Sequence, residues 1–150
     1  MKKSLLLIII SLFAITSCEQ DDICIDATTP FLLIRFNDYE DQDEYKSVTL
    51  DSVWAQDQDL YLTSSTVDSL YIPLDLNEDV TLYNLAANAV VDEMNLNYNR
   101  SDIFVGRSCG YKTIFEDLEL ESNTNNWIKN IEFNYTTIDN DTIAAITIFH

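Results

Sequence analysis

Met94-Asn95-Leu96-Asn97-Tyr98-Asn99 alternates an apolar residue with asparagine at every step. Successive side chains of a β-strand point to opposite faces, so this stretch buries Met94, Leu96 and Tyr98 and offers its amides to water. A helix would scatter the same residues around its circumference, because neighbours on one helical face are three and four positions apart. The period of two continues outward from here. On the N-terminal side, Leu32, Ile34 and Phe36 share one face with Arg35 opposite, and Val48, Leu50 and Trp54 share another. Leu60 and Leu62 form a short strand between polar turns at 56–59 and 63–65. Leu70, Ile72 and Leu74 alternate around Pro73, which cannot donate to a ladder and so places this strand at a sheet edge. Val80 and Leu82 alternate with Thr81 and Tyr83, and residues 85–89 read as a strand end or a hairpin turn.

On the C-terminal side, Ile103 to Val105 extends the pairing beyond a kink at 100–102. Residues 113–120 are open between a strand and one short helix, since Ile114, Phe115, Leu118 and Leu120 fit neither period. Trp127, Ile131, Phe133 and Tyr135 alternate, Asp139-Asn140-Asp141 turns the chain, and residues 142–149 close as a β-branched strand in a hairpin with them. Eight or nine short strands between polar turns predict an all-β domain, an antiparallel β-sandwich, with an immunoglobulin-like fold or a small barrel as the alternative. Little helix is expected outside the N-terminal segment.

That segment is of another kind. Met1-Lys2-Lys3 precedes an apolar run from Leu5 to Ile15, broken only by Ser11, and the run ends in Thr16-Ser17-Cys18-Glu19-Gln20-Asp21-Asp22. A spanning helix needs about 20 apolar residues, so the run suits a signal peptide. A small residue before cysteine is a bacterial lipobox, in which Cys18 carries the lipid and begins the mature chain. The expected layout is a signal peptide at 1–17, a lipidated acidic tether at 18–29 and one β domain at 30–150, long enough for a core of its own.

The 26 acidic residues face eight basic ones, of which Lys2 and Lys3 would leave with the signal peptide. Such a balance repels nucleic acid and anionic headgroups, so no nucleic-acid partner is expected. Lipidation would take Cys18 out of the thiol count and leave Cys24 and Cys109 as an even pair. In an oxidising envelope these form a disulfide that stabilises by about 4 to 5 kcal/mol through loop closure, the alternative being two separate buried thiols. Gly106 and Gly110, the only glycines, flank Cys109 and fit a tight turn that presents it to the tether. With Cys24 pinned, the five residues 19–23 reach about 17 Å, which keeps the domain close to its membrane.

The chain resembles an uncharacterised family of small Bacteroidetes lipoproteins, a domain of unknown function. The resemblance lies in Ser17-Cys18-Glu19-Gln20-Asp21-Asp22-Ile23-Cys24, in Thr29-Pro30-Phe31-Leu32-Leu33-Ile34-Arg35-Phe36 and in Ser108-Cys109-Gly110-Tyr111-Lys112-Thr113-Ile114-Phe115. It implies anchoring and fold and carries no assigned chemistry. Glu19, Asp21 and Asp22 look like the acidic surface-export signal of such lipoproteins, although the lysine often found there is absent. The resemblance implies an outer-membrane lipoprotein displayed at the surface, with a periplasm-facing one as the alternative. Asp51-Ser52-Val53, Asp68-Ser69-Leu70 and Asp141-Thr142-Ile143 resemble O-glycosylation acceptors of the same group of bacteria.

For catalysis the sequence offers little. Its one histidine, His150, is the last residue, so a serine or cysteine nucleophile has no evident base. Acid pairs for glycoside hydrolysis are everywhere among 26 carboxylates, and Glu132 stands out no more than the rest. Asp38, Glu40, Asp41, Asp43 and Glu44 crowd one loop with hard oxygen ligands suited to calcium, without the glycine of an EF-hand loop. Trp54 and Trp127 fall in register with core residues, whereas Tyr61, Tyr71 and Tyr83 occupy the opposite faces of their strands, where sugar rings would stack. The expected role is a lipid-anchored, non-enzymatic accessory, binding or assembly module meeting an envelope protein or a glycan. The alternative is a carbohydrate-binding or calcium-dependent surface adhesin domain.

Overall fold

The computed structural model describes Cys24 and residues 28–150, and among these it contains strands and no helix. The strands are β1 (Leu32–Asn37), β2 (Val48–Ala55), β3 (Leu60–Val67), β4 (Ser69–Ile72), β5 (Val80–Ala87), β6 (Val90–Gly106), β7 (Gly110–Asn123), β8 (Asn130–Phe133) and β9 (Ile146–Phe149). They form a four-stranded sheet in the order β4-β1-β9-β8 and a five-stranded sheet in the order β3-β2-β5-β6-β7. The inner faces share one core: Ile34, Phe36, Ile72, Ile146 and Ile148 meet Leu50, Tyr83, Leu85, Met94, Leu96 and Phe115. The domain is a β-sandwich. β4 is an edge strand, as expected, but it ends at Ile72, short of the expected Leu74, so Pro73 lies beyond the ladder.

The alternating stretch of β6 sets the faces of its neighbour. Met94, Leu96 and Tyr98 are buried, and the antiparallel register places Tyr83 beside Met94 and Thr81 beside Leu96. The parity expected for β5 is therefore inverted: Thr81 and Tyr83 point inward, while Val80 is 40% exposed. Inward polar atoms are paired, Thr81 Oγ1 with the Tyr98 hydroxyl at 2.6 Å and the Tyr83 hydroxyl donating to the Pro73 carbonyl. A register shift between Leu50 and Ser52 against β5 does the same to β2. Beyond it Val53 enters the core and Trp54, expected there, turns half-exposed.

Residues 113–120 are strand, within β7. Asp117 sits at φ 53°, and the pairing with β6 shifts between Asn97 and Asn99. An extra residue of this kind flips the face of everything after it, which is why Phe115 and Leu118, three apart, are both buried. The expected turn at 63–65 is the middle of β3, and β6 runs without a break through the expected kink at 100–102. The last strand is shorter than expected: only Ile146–Phe149 pairs with β8. It also pairs in parallel with β1, so the sandwich is not purely antiparallel. The segment 134–145 instead crosses between the sheets, with Ile138 and Phe115 exchanging backbone hydrogen bonds at 3.1 and 2.7 Å.

Candidate functional site

At one end of the five-stranded sheet, β6 and β7 make a long hairpin whose tip is Arg107-Ser108-Cys109. Gly110 closes it at φ +72°, a conformation that side chains with a Cβ rarely adopt. Cys109 is bridged to Cys24, with Cα atoms 4.9 Å apart across a sequence separation of 85. The Thr113 amide donates to Thr29 Oγ1 at 3.1 Å, a second attachment of the N-terminal segment to this hairpin. The tip is apolar and cationic: Phe104 is 59% and Tyr111 69% exposed, with their rings 5.3 Å apart, and Arg107 and Lys112 flank them. No carboxylate lies between Asp102 and Glu116 in the sequence. Cys18, the acidic residues Glu19, Asp21 and Asp22, and the whole signal peptide lie outside the described residues.

The acidic loop after β1 is exposed, and its geometry is that of a turn. Asp38 Oδ1 accepts the amides of Glu40 and Asp41, and Oδ2 pairs with Lys46 Nζ at 2.8 Å. The Lys46 hydrogen bond, helped by those amides, holds the Asp38 carboxyl at about 2. Among the described residues no three acidic, cysteine or histidine side chains gather as metal ligands do, so Asp38, Glu40, Asp41, Asp43 and Glu44 are not brought together.

Two hollows are larger. One, of about 730 Å³, opens where the β2–β3 turn faces the segment after β4, and Asp57, Asp75, Asn95 and Glu121 line it together with Leu74 and Leu82. The other, of about 440 Å³, is an open hollow on the outer face of the four-stranded sheet, where Arg35, Asn37 and Thr147 are bordered by the 134–145 segment. Tyr45, Asn134, Tyr135, Thr142, Ile143 and Ala144 complete its wall, and no residue lining it is acidic.

The tyrosine row does not form. Tyr61 and Tyr71 are 45% and 47% exposed, but Tyr83 is in the core, and burial with Tyr61 nearby raises its hydroxyl above the usual range. Trp127 is half-buried against Phe36 and His150, and its Nε1 donates to the Leu85 carbonyl at 3.0 Å. Glu132 is exposed and accepts from Asn130 Nδ2. Of the acceptor-like hydroxyls, Ser52 and Ser69 are half-buried in strands, and Thr142 is exposed and donates to Asn140 Oδ1.

Sequence reasoning missed Asp92, which is fully buried. Its Oδ1 accepts Thr124 Oγ1 and the Asn126 amide, and its Oδ2 accepts the amides of Trp127 and Ile128, all at 2.7 to 2.8 Å. Burial favours the neutral acid, yet these four donors together outweigh it and hold the carboxyl below its ordinary range. Asp92 is the post on which the β7–β8 connection is hung. The signal in the sequence was an acid at an inward position of β6, two residues before Met94.

A family model described as a family of unknown function (DUF6452) matches residues 47–150. No curated protein and no solved structure matches the chain.

Proposed function

The chain belongs to the DUF6452 family, a family of unknown function, and we propose that it is a lipid-anchored, non-enzymatic accessory or binding module of the bacterial outer envelope. The lipid would sit on Cys18, six positions before the bridged Cys24. The observation that carries this reading is the hairpin tip. The disulfide ties to Cys24 a hairpin end that joins exposed aromatic rings and two cations, with no acidic residue between Asp102 and Glu116 in the sequence. Aromatic rings and basic side chains are the chemistry of a membrane–water interface. In a chain with a formal charge of −18, their concentration beside the tether makes this the end that rests on the bilayer. The acidic run after Cys18, and the resemblance to Bacteroidetes lipoproteins, support display at the cell surface.

Acyl labelling tests the reading. Cells fed labelled palmitate should label the wild-type protein and not the Cys18→Ala variant, which should also leave the washed outer-membrane fraction. Label retained by Cys18→Ala, or none on the wild type, would refute lipid attachment at this residue.

A further inference from the structure

We propose that the hollow around Arg35 is a binding site for a sugar residue that carries a carboxylate. Arg35 lies on β1 with its guanidinium stacked on the Tyr45 ring, 4.7 Å from the centroid. Both ion pairs among the described residues involve other cations, Lys46 with Asp38 and Arg100 with Asp79. In a chain with 26 acidic residues, an arginine without a carboxylate partner, in a hollow without an acidic lining, is an arrangement held open for an anion. Glu132, in register two strands away through Thr147, is the acid placed on the same face, and it does not line the hollow.

A second observation is independent of charge. Asn37 lines the same hollow and is only 8% exposed; its Nδ2 donates to the Gln42 carbonyl, while its buried Oδ1 has no partner. A buried acceptor left unpaired costs about 1 to 3 kcal/mol, and because this oxygen is out of reach of solvent, a ligand donor would recover that cost only by drawing the Asn37 side chain toward the hollow. The rest of the wall suits a pyranose ring. Tyr135 and Ile143 are 52% and 53% exposed and offer an apolar platform for its C–H face. Amides and hydroxyls of Asn134, Thr142 and Thr147 stand around it.

The volume of about 440 Å³ is within the range of small-molecule sites. A single guanidinium matches the one charge of a carboxylate and would leave a phosphate dianion half-neutralised. A peptide carboxylate is the weaker fit, because β1 is paired on both sides by β4 and β9 and has no free edge for an added strand.

The proposal deepens the binding-module reading, and its test is separate from that of acylation. Full-length protein in detergent is titrated calorimetrically with a glucuronic-acid tetrasaccharide, its neutral glucose counterpart and an acidic tetrapeptide. The acidic sugar should bind at least tenfold more tightly than either. Arg35→Gln should abolish the difference, Arg35→Lys should restore only part of it, and Tyr45→Ala, at an exposed ring, should weaken binding without lowering the melting temperature. Arg100→Gln, a cation already paired, should bind as the wild type does. Equal binding of the neutral sugar, preference for the peptide, no binding, or binding indifferent to both Arg35→Gln and Tyr45→Ala would overturn the assignment.

Discussion

Asp92 gathers four donors into one buried carboxylate, and no amide can replace it, since the nitrogen of asparagine cannot accept. Asp92→Asn should lower unfolding stability by about 3 kcal/mol, measured by urea denaturation at neutral pH. The folded carboxyl titrates below its unfolded value, so its contribution is complete above about pH 4 and is lost as pH falls through the folded value. The deficit of Asp92→Asn should therefore shrink in acid; a deficit constant from pH 7 to strongly acid conditions would contradict this account. At Asn88-Ala89 the β5–β6 hairpin needs positive φ at both turn residues, 52° and 62°, and alanine is strained there. Ala89→Gly should add about 1 kcal/mol, while the hydrogen bond from this amide to Asp51 Oδ2 remains available. A loss of stability in Ala89→Gly would show that chain entropy outweighs the strain. Neither site stood out beforehand: Asp92 was one acid among 26, and what marks it is a loop that reaches it from more than 30 residues away. Arg35 was legible as the outward residue of β1, but its unpaired charge was not, because the wall around it comes from residues 134–147.

At the scale of elements, the faces of β7 depend on the residue count at its bulge. Deleting Asp117 would leave Phe115 and Leu118 two positions apart on one face, so an uninterrupted period of two would keep both inward. The deletion should keep a cooperative thermal transition, as should Asp117→Gly, which relaxes the positive φ, whereas inserting one glycine after Asp117 would turn Leu118 to water and Glu119 inward and should abolish it. The hairpin tip depends on its bridge. Replacing Cys24 and Cys109 together by serine opens a loop of 85 residues and should cost about 4 to 5 kcal/mol in urea unfolding. The same shift should appear when the wild type is reduced. The disulfide could be expected from the cysteine count, because the reading of Cys18 as lipidated leaves Cys24 and Cys109 as an even pair. The bulges could not be read, because a single inserted residue is defined by the partner strand opposite it, as the run 113–120 illustrates.

The whole molecule carries a formal charge of −18, against two ion pairs among its described residues, both at the surface. Exposed pairs contribute about 0 to 1 kcal/mol each, so repulsion spread over the surface outweighs them. Raising sodium chloride from low concentration to about 0.5 M shortens the screening length to a few ångströms and should raise the melting temperature by several degrees. A fall would mean that the two pairs, with Asp38 and Asp79, matter more than the self-repulsion. By itself the sequence determined the β-sandwich class, the edge position of the strand before Pro73, the inward face of Met94, Leu96 and Tyr98, and the Cys24–Cys109 pair. All of these follow from local period, from backbone chemistry or from counting. Only the tertiary structure decided that Tyr83 faces inward, that β9 lies parallel to β1, and that Arg35 stands in a hollow without acids. Those facts depend on which strand pairs with which and in what register, and register is fixed by the facing partner, which the strand's own residues do not contain.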